Sequence, residues 1–238
     1  GAAGVLGIEL MNNFESPYLS MTCSEFWKRW HISLSSWFKD YVYIPLGGNR
    51  KGRFRKYLNV IIVFGLSGLW HGADWTYVIW GLLNGIFQVI GDILKPVKEC
   101  LGRILRLKRS DMGGRVFCTA CTFLLIDFAW IFFRAESISA AVEIIRSMST
   151  VINPWILFDD SIFLAGLTCR EFEVLVLSLM LLLGVDIANY CGVTVRKIIL
   201  AQDYWFSTMI FATSICAILI FGIWGTGYES DAFLYFQF

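Results

Sequence analysis

The chain has 238 residues, 57% hydrophobic and 16% aromatic, with only 16% charged and a mean hydropathy of +0.62. A water-soluble domain of this size could not cover so much apolar surface, so the composition points to a membrane protein. A formal net charge of +1 gives no bulk attraction for phosphate backbones, and no nucleic-acid partner is expected.

The chain opens Gly1-Ala2-Ala3-Gly4, without an initiator methionine or a secretion signal, and reads as part of a larger membrane protein. Thr22 and Glu25 form an S/T-x-x-E capping box, and the spacing predicts a helix from there to about Asp40. Trp27, Trp30, His31, Leu34, Trp37, Phe38 and Tyr41 recur along it at three- and four-residue steps, a broad aromatic face holding one imidazole. Such a helix suits a membrane interface, where tryptophan and tyrosine sit at headgroup level and Lys28, Arg29 and Lys39 reach phosphates or water. Pro45, Gly47 and Gly48 then turn the chain.

Tyr57 to Leu94 is long enough for two shorter helices turning near Gly72 to Asp74, a hairpin with His71 at its bend and both ends on one side. Val116 to Phe133, Phe172 to Tyr190 and Phe206 to Trp224 approach the roughly 20 residues that a bilayer crossing needs. Asp127 and Asp186 interrupt the apolar runs, which predicts a polar interior or a paired partner, with Arg134 or upstream helices as candidates. Arg50, Lys51, Arg53, Arg55 and Lys56 precede the hairpin and Arg103, Arg106, Lys108 and Arg109 follow it, so both flanks are expected at the cytoplasmic face. Arg134 to Glu171 then falls outside, Arg196 and Lys197 inside, and the C-terminus outside. Within the outer segment Ile138, Val142, Ile145 and Met148 predict an amphipathic helix lying on the membrane.

Seven cysteines, mostly in apolar stretches, imply no disulfide framework. Cys118 and Cys121 make a C-x-x-C without a second pair or a histidine cluster, so no metal site is expected. The two histidines, His31 and His71, both lie among tryptophans and leucines, where an ionisable group is costly. A buried imidazole can simply bond a carbonyl. At membrane depth a titratable group is by default a functional candidate, and a neutral imidazole can take a proton from an alcohol.

Three motifs follow in order: Arg29-Trp30-His31-Ile32-Ser33-Leu34-Ser35, Tyr43-Ile44-Pro45-Leu46-Gly47-Gly48-Asn49-Arg50 and Gly68-Leu69-Trp70-His71-Gly72-Ala73. They resemble successive signatures of the membrane-bound O-acyltransferases, and most of all the branch holding the alginate O-acetyltransferase membrane subunit. Trp130-Ile131-Phe132-Phe133-Arg134-Ala135 and the closing Phe236-Gln237-Phe238 resemble that branch too, and the teichoic-acid D-alanyl transfer proteins are similar relatives.

The resemblance implies an all-α, multi-pass membrane bundle around a tunnel, with amphipathic interfacial helices and the short hairpin carrying His71. Residues 1–238 would form the C-terminal part of one such domain. His71 would be the general base and His31 a supporting residue on the donor side. Trp30, Asn49, Arg50, Trp70 and Asn84 complete the candidate substrate-binding set. Some relatives carry a histidine where this chain has Asn84, which leaves that position a hydrogen-bonding role. Arg50 reads equally as a phosphate contact or as part of a cytoplasmic basic edge. Asp74 could orient His71, but helix capping explains it more simply.

The expected activity is transfer of an acyl group, acetyl first, from a cytoplasmic thioester to a hydroxyl on an extracytoplasmic polysaccharide or its carrier. The donor would be acetyl-CoA or an acyl-carrier-protein thioester, with no cofactor or metal held. Expected partners are the lipid bilayer, an extracytoplasmic acyltransferase-like protein and the polysaccharide, at the cytoplasmic membrane. D-alanyl transfer toward teichoic acid is the alternative. A transporter relaying protons through Asp127, Asp186 and the histidines would leave the ordered motifs unexplained.

Overall fold

The structure is a computed structural model and describes residues 6–104, 111–151, 155–156, 162–163 and 168–222. The terminal Phe236-Gln237-Phe238, the end of the last predicted span and Arg106, Lys108 and Arg109 lie outside the described residues. Among the described residues the fold is all-α, with a single isolated β-bridge between Phe14 and Trp30. The chain divides into two compact units, residues 1–152 and 153–238.

In the first unit, α1 spans Cys23–Arg29 and α2 spans Ile32–Phe38. Thr22 caps α1 by accepting the Glu25 amide at 3.1 Å, while the Glu25 carboxylate reaches back to the Met21 amide at 3.0 Å. The predicted single helix to Asp40 is broken in two. His31 takes left-handed backbone angles (φ 46, ψ 56), and a π-helical turn, Lys39–Tyr43, follows α2 directly. A three-to-four-residue apolar period survives such a break, because α1 and α2 each keep their own face.

The hairpin is present, with its first arm longer than the sequence suggested: α3 is Gly52–His71 and α4 is Trp75–Ile93. At 1.5 Å per residue each arm is about 30 Å long, full membrane depth. The arms pack at unusually close range. A Cβ on Gly68 would overlap the Tyr77 carbonyl and one on Gly81 the Phe64 carbonyl. Gly81 and Gly85 make the G-x-x-x-G spacing that lets helices approach in lipid. At the foot of the hairpin Lys56 Nζ lies 2.7 Å from Asp92 Oδ2, and the Tyr57 hydroxyl donates to the same oxygen at 3.1 Å.

The short helix α5, Lys95–Ile104, follows, and α6, Met112–Arg134, packs along α4. The core lies where α1, α4 and α6 meet. Trp80, Ala129, Phe132 and Ala141 form one buried cluster, and Cys23, Phe26 and Ile126 another. The amphipathic α7, Ile138–Thr150, is capped by Ser137, which accepts the Ala140 amide. It sets Ala141 and Ile145 on this core and leaves Ile138, Val142 and Met148 exposed. Asp127 is exposed on α6 and makes no salt bridge among the described residues, so the expected pairing with Arg134 does not form.

The second unit holds α8, Cys169–Tyr190, α9, Val195–Leu200, and α10, Tyr204–Phe221. Thr168 and Glu171 form a full capping box at the start of α8. Among the described residues α4, α6 and α10 are long and apolar enough to cross a membrane. Wide exposure of leucine, isoleucine and phenylalanine along α6, α8 and α10 is the surface expected against lipid.

Candidate active site

His71 is the last residue of α3, placed there because Gly72 and Ala73 leave the helix and Asp74 starts the next one. Its imidazole is half-buried within a wall of rings. Ring centroids lie 4.8 Å from Trp70, 5.1 Å from Trp80 and 5.2 Å from Phe133, with interplanar angles of 76°, 88° and 80°. Edge-to-face pairs of this kind fix orientation and contribute on the order of 0.5–1.5 kcal/mol each beyond their buried area. Among the described residues no carboxylate bonds His71. Asp74 accepts the Thr76 amide at 2.8 Å and so caps α4, which settles its role on the side of capping.

Behind the imidazole, Trp80 is 2% exposed and packs on Phe133 and Trp130, with centroids 4.8 and 5.6 Å away. Trp130 in turn packs on Trp30, 5.5 Å away, so one aromatic stack joins the Trp-His-Gly corner to the Arg-Trp-His corner. The structure thus links His71 and Trp70 to Trp30 through this stack, with His31 the next residue after Trp30.

The His31 corner is held open by strain and by a residue that sequence reasoning missed. A left-handed conformation is unfavourable for a side chain with a Cβ and persists only where neighbours impose it. Here Asn13 imposes it: its carbonyl accepts the Ile32 amide at 3.1 Å and its Oδ1 accepts the Ser33 amide at 2.9 Å. These are the first free amides of α2, so Asn13 caps a helix to which it does not belong in sequence. A cap supplied 20 residues away leaves no local spacing signal. Burial holds the His31 imidazole below its ordinary pKa of 6.5, and its Nδ1 makes no hydrogen bond to another of the described residues.

Asn49 and Arg50 sit elsewhere. They are exposed on the turn before α3, at the opposite end of that helix from His71 and thus about 30 Å from it. The turn is shaped by Gly47 and Gly48, both at positive φ (102° and 54°), and by fully buried Asn59, whose Nδ2 donates to the Gly48 carbonyl at 2.9 Å. Asn84 is 1% exposed; its Nδ2 donates to the Trp80 carbonyl at 2.8 Å and its Oδ1 accepts the Trp27 indole N–H at 3.2 Å. It faces the protein rather than open space. Among the described residues no three His, Cys, Asp or Glu side chains gather as a metal site.

Residues 4–98 match the family described as MBOAT, membrane-bound O-acyltransferase family. The chain is similar to the probable alginate O-acetylase AlgI of Pseudomonas putida, 42% identical over 148 residues, covering 62% of this chain and 28% of that protein. It is also similar to the peptidoglycan O-acetyltransferase of Helicobacter pylori, 41% identical over 141 residues, 59% of this chain and 25% of that one. The teichoic acid D-alanyltransferase of Streptococcus thermophilus is 38% identical over 108 residues, 42% of this chain and 26% of that protein. The chain therefore spans about a quarter to a third of the length of these curated relatives. The ordered motifs, the ring-walled histidine at the hairpin corner and these likenesses agree in pointing to the membrane-bound O-acyltransferase family, whose model matches residues 4–98 of this chain.

Proposed function

We propose that the whole protein is a multi-pass enzyme of the cytoplasmic membrane, of which this chain is the C-terminal part of one catalytic domain. It transfers an acyl group, acetyl in the first reading, from a thioester on the cytoplasmic side to a hydroxyl of an extracytoplasmic polysaccharide or its carrier protein. The observation that carries this reading is His71: an imidazole walled by three aromatic rings at the corner of a hairpin whose arms are about 30 Å long.

His71 takes the proton of the acceptor hydroxyl as its oxygen attacks the thioester carbonyl. The C–O bond forms, the C–S bond breaks, and the departing thiolate takes the proton from the imidazolium. The net products are an ester and a free thiol, with His71 returned to its neutral form. His31, kept neutral by burial, lies on the donor side in a supporting role. Asn49 and Arg50 suit the charged, phosphate-bearing head of the donor, acetyl-CoA or a carrier-protein thioester. An extracytoplasmic acyltransferase-like partner would carry the ester onward to the polymer.

D-alanyl transfer toward teichoic acid is the second reading, favoured by the likeness to the D-alanyltransferase. The test is the acetyl content of extracellular polysaccharide in cells making the full-length protein, wild type against His71→Ala and His31→Ala at matched membrane levels. Loss of acetylation in inserted His71→Ala supports the reading, and retention overturns it. A wild type that adds no acetyl but adds D-alanine selects the second reading.

A further inference from the structure

Asn84 is placed by this chain where it controls the catalytic corner without facing substrate. It lies one helical turn after Trp80 on α4, is 1% exposed, and spends both ends of its amide inside the protein. The bond to the Trp80 carbonyl orients the amide along its own helix, and the remaining acceptor then meets the Trp27 indole N–H from α1. Trp27 is thereby pinned with its ring edge-on between Phe64, centroid 5.2 Å away, and Trp80, 5.7 Å away. Trp80 is the largest fully buried side chain and one of the three walls of His71.

The chain of contact runs Asn84, Trp27, Trp80, His71. Each link is either a buried hydrogen bond, where an unpaired partner is costly, or an edge-to-face ring pair with a preferred geometry. Ring walls can hold an imidazole in place only if they are themselves fixed, and among the described residues no hydrogen bond anchors the Trp80 ring. The Trp27–Asn84 bond supplies that anchor from an interfacial helix, so the pose of His71 depends on α1 staying docked against α4.

We infer that Asn84 is a positioning residue for His71, acting through Trp27 and Trp80, and not a contact for donor or acceptor. This rests on the reading of His71 as the general base.

The test uses the purified full-length protein in lipid nanodiscs with acetyl-CoA and a polysaccharide acceptor. It compares wild type, Trp27→Phe, Asn84→Leu, the double variant and His71→Ala. Trp27→Phe keeps an aromatic ring at the position while removing the N–H together with part of the indole, so it carries the test even where Asn84→Leu fails to fold. The expected result is a kcat lowered about ten-fold or more in each single variant, the size of effect a small misplacement of a reacting group produces. Donor KM stays within about two-fold, and the double variant loses no more than the worse single one, since both break one bond. The pH profile of kcat shifts in the same direction in both singles.

A folded Trp27→Phe with kcat and pH profile unchanged, alongside an inactive His71→Ala, overturns this inference and leaves the general base standing. A raised donor KM at unchanged kcat makes Asn84 a substrate contact and overturns it as well. Activity retained by His71→Ala removes the base itself and this inference with it.

Discussion

Gly68 on α3 lies against the backbone carbonyl of Tyr77 on α4, with no room between them for a methyl group. The same relationship recurs between Gly81 and the Phe64 carbonyl, so the two arms meet backbone to backbone just below His71. Gly68→Ala must push the arms apart, and overpacking of this kind costs on the order of 1–3 kcal/mol. Both Gly68→Ala and Gly81→Ala are expected to lower the melting temperature of the detergent-solubilised protein and to lower activity. Gly91→Ala, where a Cβ meets nothing within 4 Å, is the matched control and is expected to change neither.

Asp74 separates two roles by its substitutions. As the cap of α4 it is replaceable by asparagine, which caps about equally well, whereas Asp74→Ala loses about 1 kcal/mol. Asp74→Asn is therefore expected to retain acyl transfer and thermal stability, and Asp74→Ala to lose stability first. Inactivity of a folded Asp74→Asn would instead make the carboxylate a partner of His71.

Asn13 predicts a long-range effect. Removing its side chain in Asn13→Ala strips the Ser33 amide of its acceptor, a loss on the order of 1 kcal/mol, and releases the strained His31 backbone. Asn13→Asp keeps an acceptor at the same place and is expected to preserve the corner. Limited proteolysis between α1 and α2 reads the difference: faster cleavage in Asn13→Ala, wild-type cleavage in Asn13→Asp.

The neutral His31 makes folding sensitive to acid. Burial lowers its pKa in the folded protein, so as pH falls below about 6.5 the unfolded chain takes up a proton that the folded one resists. The contribution is complete above that pH and is lost on going down. His31→Gln cannot titrate, and its melting temperature is expected to fall less than that of wild type between about pH 7.5 and 5.5. Equal slopes in the two proteins would remove His31 from the acid response.

The sequence exposed those features that are local in spacing. The Thr22 cap, the turn at Gly47 and Gly48, the hairpin bend and the long apolar helices all arise from residues within a few positions of one another. The break at His31 was hidden because its cause, Asn13, lies far upstream and because the aromatic period runs through the break unchanged. Asn84 looked like a polar group available to substrate; only the approach of Trp27 from another helix shows its amide already engaged. The wall around His71 likewise combines Trp70 and Trp80 from the hairpin with Phe133 from α6, a convergence with no linear pattern.

One uninterrupted helix, α3, joins the Gly47–Gly48 turn to His71. Adding or deleting a single residue in it would shift its two ends by about 1.5 Å and rotate them by about 100° relative to each other. Gly65 and Gly68 would then leave the seam with α4, and His71 would swing out of its ring wall. The length of α3 is thus a gauge that the protein can change only in whole turns, and substitutions along it are tolerated far more readily than insertions.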